Sequence, residues 1–196
     1  MNLPNKLTCS RFLLTIAFLL AIFSDIRYHE TLALAMFVAA SITDYFDGMI
    51  ARRDKLITNF GILMDPLADK ILVCSAFIAF IGRGWMPAWM VVIIVARELA
   101  ITGLRLLAAS KQVVLAAEGY GKHKTISQIV TIISVLVLVS HLQWGVVGKA
   151  IFAFNLFAKP WIAWFTELSQ WVTVALTFVS GCLYLWRNRQ LYLQDL

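Results

Sequence analysis

Long stretches of this chain are apolar on every side of a helical wheel, and few show the one-sided pattern of a helix lying against water. The run Ile129 to Val139 is representative, broken only by Thr131 and Ser134. Crossing about 30 Å of hydrocarbon takes about 20 apolar residues as a helix. On that criterion the pattern predicts helices over Leu7 to Phe23, Thr31 to Asp47, Asp65 to Ile81, Pro87 to Leu107, Thr125 to His141 and Phe165 to Trp186. A membrane β-barrel would instead alternate apolar and polar residues in short strands, which these runs do not. The segment Leu142 to Thr166 fits neither description. Gly145, Gly148, Lys149, Lys159, Pro160 and three tryptophans interrupt it, so it reads as a hairpin or as an interfacial helix.

Composition sharpens this picture. With 61% hydrophobic residues, 14% charged residues and a mean hydropathy of +0.80, the 196-residue chain lacks the polar surface to cover a soluble domain. The fold class expected is an all-α integral membrane protein with six transmembrane helices, forming a single domain over residues 1–196. If the N-terminus is cytoplasmic, 13 of the Lys and Arg residues fall on or near that side, and only Arg27, Arg83, Lys149 and Lys159 fall opposite. The positive-inside rule therefore favours that orientation. The formal charge of +6 is dispersed over helix ends and builds no aromatic-interleaved patch, which argues against nucleic acid. Anionic lipid headgroups and a phosphorylated substrate suit it better. Cys9, Cys74 and Cys182 share no ligand spacing and read as packing residues, and His29, His123 and His141 are too dispersed for a zinc site. Phe12 to Phe23 resembles a signal-peptide core, but five more spans follow and no clear cleavage site is present, so it reads as a retained first helix.

Against this apolar background stands one acidic cluster, Asp44-x2-Asp47-Gly48-x2-Ala51-Arg52-x8-Gly61-x3-Asp65-x3-Asp69. A carboxylate near the hydrocarbon is costly, so an intramembrane ionisable group is a functional hypothesis by default. Asp44 and Asp47 are i and i+3, with Gly48 and Ala51 continuing their face smoothly; Asp65 and Asp69 are i and i+4 on the next helix, with Pro66 expected in its first turn. Four hard oxygen ligands point to magnesium or manganese, and a magnesium ion held by carboxylates commonly completes its shell with substrate phosphate. The plainer alternative is a set of solvated loop carboxylates paired with Arg52, Arg53, Lys55 and Lys70. Such a set has no reason to keep helical spacing with glycines between.

These eight defined residues over 26 positions resemble the signature of the CDP-alcohol phosphotransferase family. The resemblance implies a six-helix membrane fold, usually homodimeric, with two divalent cations, Mg or Mn. It implies a reaction in which an alcohol displaces CMP from a CDP-linked lipid. Carried onto this chain, Asp44, Asp47, Asp65 and Asp69 are the expected metal ligands, with Asp69 also the expected catalytic base. Gly48, Ala51, Arg52 and Gly61 are expected in the CDP pocket. Asn5 and Thr8, spaced by three with Arg11, either line the nucleotide site or cap and anchor the first helix.

The acceptor is read from other motifs. Pro4 to Arg11, Arg97-Glu98 with Arg105, and Gly121-Lys122-His123-Lys124-Thr125 are similar to the bacterial phosphatidylglycerophosphate synthases within that family. The resemblance implies CDP-diacylglycerol and sn-glycerol 3-phosphate as substrates, at the cytoplasmic face of a bacterial inner membrane. Arg97 and Arg105 are eight apart, near two helical turns, and with Lys122 and Lys124 offer cations for an acceptor phosphate. The competing readings are that Arg97 only neutralises Glu98 or an aspartate and that Lys122 and Lys124 are positive-inside membrane anchors. Phosphatidylglycerol, inositol phosphate and serine are the alternative acceptors within the family. A membrane prenyltransferase would need more spans, and a divalent-cation transporter would put its carboxylates near the midplane rather than at one end.

Overall fold

The computed structural model describes the backbone of residues 3–54, 59–112, 120–156 and 158–193, and the side chains of 10–43, 70–112, 123–156 and 158–192. Its long helices are α1 (Leu3–Phe23), α2 (His29–Asp54), α3 (Asn59–Gly82), α4 (Ala88–Ser110) and α5 (Tyr120–Ser140). A 3-10 turn at His141–Trp144 leads to a short α6 (Gly145–Phe152). Strands β1 (Asn155–Leu156) and β2 (Lys159–Pro160) pair antiparallel before α7 (Trp161–Arg187) and a final turn α8 (Gln190–Leu193).

Every expected helix is present, and several run past their apolar stretches. α2 continues seven residues beyond Asp47, and α3 begins six residues before Asp65. Backbone hydrogen bonding does not stop where hydrocarbon gives way to headgroups, whereas an apolar run does. Pro66 consequently lies inside α3 instead of in its first turn, and it leaves the Ile62 carbonyl without the usual intrahelical donor. α4 starts one residue after Pro87, whose φ of −61° suits the position before a helix. The segment read as either a hairpin or an interfacial helix contains a short helix followed by an antiparallel strand pair. Gly145, at φ +64°, turns the chain between the 3-10 turn and α6.

The core joins α1 through α5 through large aromatic and small residues. Phe18 and Phe37 meet at 6.0 Å between ring centroids, and Ala33 and Ala40 of α2, spaced around Phe37, are fully buried. Small residues at this spacing let helix backbones approach closely. Phe77, Phe80, Ile94, Ile132 and Leu136 complete the centre.

The inside and outside of α7 are inverted relative to a helix in water. Its buried side carries Thr166, Ser169, Gln170, Thr173 and Thr177, while Leu168, Val172, Val179, Leu183 and Trp186 are exposed. The hydroxyls form a seam with α5: Thr131 donates to the Ser169 carbonyl at 2.9 Å, its Oγ1 lies 2.8 Å from that of Thr173, and the Ser134 and Ser169 hydroxyls are 3.0 Å apart. Polar residues turned toward a neighbouring helix and apolar ones turned outward are what a hydrocarbon solvent selects. Among the described residues, 123–152 and 161–187 are long and apolar enough to cross a membrane. The first is broken at Gly145, so α5 supplies its crossing length, roughly 27 Å from His123 to Ser140.

At the end of the bundle where α2 and α4 begin, Thr31 donates to Gln143 at 2.7 Å, Trp144 donates to Thr31 at 3.0 Å and Gln143 donates to Glu30. Arg83 and His29 meet there at 2.6 Å. This network ties the α1–α2 connection to the 3-10 turn. The aspartate motif lies toward the opposite end, in the last part of α2 and the first part of α3.

Candidate active site

Asp44 and Asp47 lie in α2, and Asp65 and Asp69 in α3, on continuous helical backbone, so both pairs keep the spacing read from the sequence. α2 and α3 each pack on α1. The side chains of the four aspartates lie outside the described residues, as do those of Asn5, Thr8, Gly48, Ala51, Arg52, Gly61 and Lys122. Among the described residues no group of three His, Cys, Asp or Glu could hold a metal.

Directly after Asp69, Lys70 marks where the described part of this end begins. Its ammonium donates to the Thr102 hydroxyl on α4, and Thr102 in turn donates to the Glu98 carbonyl at 2.7 Å. The helix carrying Asp65 and Asp69 is thereby fastened to the helix carrying Arg97 and Arg105.

Glu98 is the centre of the described cluster. It is 6% exposed, and its Oε1 accepts from Lys124 Nζ on α5, from Gln128 Nε2 at 3.3 Å and from Arg97 Nη1 at 3.4 Å. Gln128 is one turn beyond Lys124, so a single face of α5 supplies both donors. A carboxylate buried in a helix bundle needs this pairing, because desolvating it alone costs several kcal/mol.

Arg97 is held from its other side by α7. The Cγ of its stem lies 2.8 Å from where a Cβ on Gly181 would be, so only a glycine leaves room for it. Its Nε is buried without a hydrogen-bond partner among the described residues. A guanidinium has five N–H donors, and a buried one left unmet is costly, so Arg97 retains capacity for an oxygen-rich anion. Arg105, more exposed, places its Nε 3.5 Å from the Tyr184 hydroxyl and its guanidinium 5.8 Å from the centre of that ring.

The structure therefore brings together Arg97 and Lys124, which share Glu98, and sets Arg105 on the same helix beside Tyr184. His123 is exposed at the start of α5, and His141 is buried with its Nδ1 2.8 Å from the Leu138 carbonyl. Sequence reasoning had treated Glu98 only as a partner of its neighbour and did not single out Thr102, Gln128, Gly181 or Tyr184. Helical periodicity carried a signal for Thr102, four residues after Glu98, and for Gln128, four after Lys124. Nothing local pointed to Gly181 or Tyr184, which are 84 and 79 residues from the arginines they touch.

Comparison with known proteins agrees with the motif. The family profile described as CDP-alcohol phosphatidyltransferase matches residues 1–179. The chain is 38% identical to the CDP-diacylglycerol–glycerol-3-phosphate 3-phosphatidyltransferase of Bacillus subtilis, with 95% of each chain covered. It is 32% identical to the protein of that name from Rickettsia felis over 93% of each chain. A probable phosphatidylglycerophosphate synthase of Mycobacterium tuberculosis is 43% identical over 67% of this chain and 64% of its own.

Proposed function

The chain belongs to the CDP-alcohol phosphatidyltransferase family, and from that premise we propose that it transfers the phosphatidyl group of CDP-diacylglycerol to sn-glycerol 3-phosphate, giving phosphatidylglycerophosphate and CMP. The observation that carries the acceptor assignment is the buried cluster in which Arg97 and Lys124 share the single carboxylate Glu98. Among the described residues, the cations at this cluster outnumber its carboxylate, and the excess positive charge suits a phosphate dianion.

In this reading Arg97, Arg105, Lys122 and Lys124 bind the acceptor phosphate and orient the glycerol so that its primary hydroxyl points toward the α2–α3 aspartates. Asp69 accepts the proton of that hydroxyl as its oxygen bonds to the phosphorus bearing diacylglycerol, and the bond from this phosphorus to the CMP oxygen breaks. Asp44, Asp47, Asp65 and Asp69 are a donor set of hard carboxylate oxygens that suits two magnesium or manganese ions. Divalent cations bound there would neutralise the charge growing on departing CMP. Gly48, Ala51, Arg52 and Gly61, with Asn5 and Thr8, form the CDP pocket, where the small residues admit the nucleotide close to the backbone.

The six long helices α1 to α5 and α7 cross a bacterial cytoplasmic membrane as one domain, with the aspartates facing the cytoplasm, and the enzyme works as a homodimer. The 13 cationic residues on the aspartate side support that orientation.

The test is product identification. Purified protein in detergent receives CDP-diacylglycerol and magnesium with glycerol 3-phosphate, inositol phosphate, serine or phosphatidylglycerol offered separately, and the lipid formed is weighed by mass spectrometry. Phosphatidylglycerophosphate from the first mixture alone is the expected result. A different product lipid would retain the family chemistry and overturn the acceptor.

A further inference from the structure

We infer that Glu98 is the positioning residue of the acceptor site: a carboxylate that does not touch the substrate but aims Lys124 and Arg97 at its phosphate. The inference rests on the reaction proposed above and concerns a residue given no role in it.

Three observations converge on this assignment. The donors of α4 and α5 meet on one oxygen of Glu98, so the carboxylate is a node between helices rather than half of a one-to-one pair. Lys124 is a flexible four-carbon side chain whose ammonium has three N–H donors, of which Glu98 uses one. Held at that point and only 5% exposed, the side chain retains donors for a second anion without the entropy of searching for it. Arg97 is pinned by Glu98 on one side and by the gap at Gly181 on the other, with its buried Nε unmet among the described residues.

The contacts around Glu98 also explain why a carboxylate stands here. Without it, Arg97 of α4 and Lys124 of α5 would repel each other, and their charged ends would move apart. With it, two cations sit together at fixed positions, an arrangement a tetrahedral phosphate bridges and a neutral alcohol does not.

The test is steady-state kinetics of CMP release with each substrate varied in turn, on the unmodified chain, Glu98→Gln, Glu98→Asp, Lys124→Gln and the double variant Glu98→Gln/Lys124→Gln. Glu98→Gln keeps the side-chain shape but removes the charge that holds the two cations, and the expected result is a KM for glycerol 3-phosphate raised about tenfold or more. The KM for CDP-diacylglycerol should stay within about twofold. Glu98→Asp, which keeps the charge and withdraws it by one methylene, should give an intermediate KM and supplies the reading if the neutral variant does not fold. Because Glu98 acts in part through Lys124 and in part through Arg97, the double variant should be worse than Lys124→Gln but fall short of the sum of the two single effects. An unchanged acceptor KM in both Glu98 variants, or parallel changes for both substrates, would overturn the positioning role while leaving the reaction standing. Absence of glycerol 3-phosphate turnover by the unmodified chain would overturn the reaction and this inference together.

Discussion

Lys124 of α5 and Glu98 of α4 form an ion pair across two helices in which both side chains are nearly inaccessible, 6% and 7% exposed. A buried pair of this kind adds little net stability when intact, but removing one partner leaves an uncompensated charge and costs about 3 kcal/mol. Because Arg97 still pairs with Glu98 when Lys124 is removed, Lys124→Met should lower stability in a detergent unfolding titration by less, about 1 kcal/mol, whereas Glu98→Gln, which strands both cations, should cost about 3 kcal/mol. Equal stability of Lys124→Met and the unmodified chain would show that the pair is solvated.

Gly181→Ala tests the seat of Arg97 from the other side. The added methyl would lie 2.8 Å from Arg97 Cγ, close to the root of the side chain, where the stem cannot bend away cheaply. Stability should fall by about 1 to 3 kcal/mol, the range for overpacking a close contact. If Arg97 binds the acceptor phosphate, the KM for glycerol 3-phosphate should also rise severalfold while that for CDP-diacylglycerol holds. A change in stability alone would assign Gly181 to packing.

Asp69→Asn tests the proposed base. The amide keeps the size of the carboxylate but cannot take the proton, and general-base contributions are typically about 10²-fold to 10⁴-fold in rate. CMP release should drop by at least about that lower figure while thermal unfolding stays near that of the unmodified chain. Appreciable turnover would move the proton acceptor elsewhere.

Gly148→Ala probes architecture away from the proposed chemistry. A Cβ at Gly148 would collide with the His141 carbonyl oxygen and lie 2.9 Å from Trp144 Cβ, so α6 would have to separate from the 3-10 turn. Because the nearest atom is backbone, the expected loss is at the upper end of the overpacking range, about 3 kcal/mol, with both KM values unchanged. An unaffected unfolding transition would mean that this corner is loosely joined.

The helices were legible because hydrocarbon leaves a coarse signature: uninterrupted apolar runs have few folded uses other than a helix within lipid or a buried core. Their ends were less legible, since α2 extends through Arg52 and Arg53 to Asp54 on hydrogen bonds that hydropathy does not register. Segment 142–166 stayed ambiguous because its course depends on Gly145 adopting positive φ and on tryptophan side chains reaching carbonyls, as Trp161 does to Ile151 at 2.8 Å. The aspartate motif stood out because its residues are close in sequence and costly in lipid. The cation cluster was only half visible: Arg97, Arg105 and Lys124 could be named from the resemblance and their charge, but Glu98 as the node between Arg97 and Lys124 depends on Lys124 and Gln128 arriving from another helix, a tertiary fact.

Whether the described cations recognise a phosphate on the acceptor is tested by CMP release from CDP-diacylglycerol with magnesium as either glycerol 3-phosphate or glycerol is titrated. The two acceptors offer the same hydroxyl chemistry and differ in the phosphate. Saturable release is expected with glycerol 3-phosphate, and none above background with glycerol. Equal release with both, or release indifferent to either, would contradict phosphate recognition.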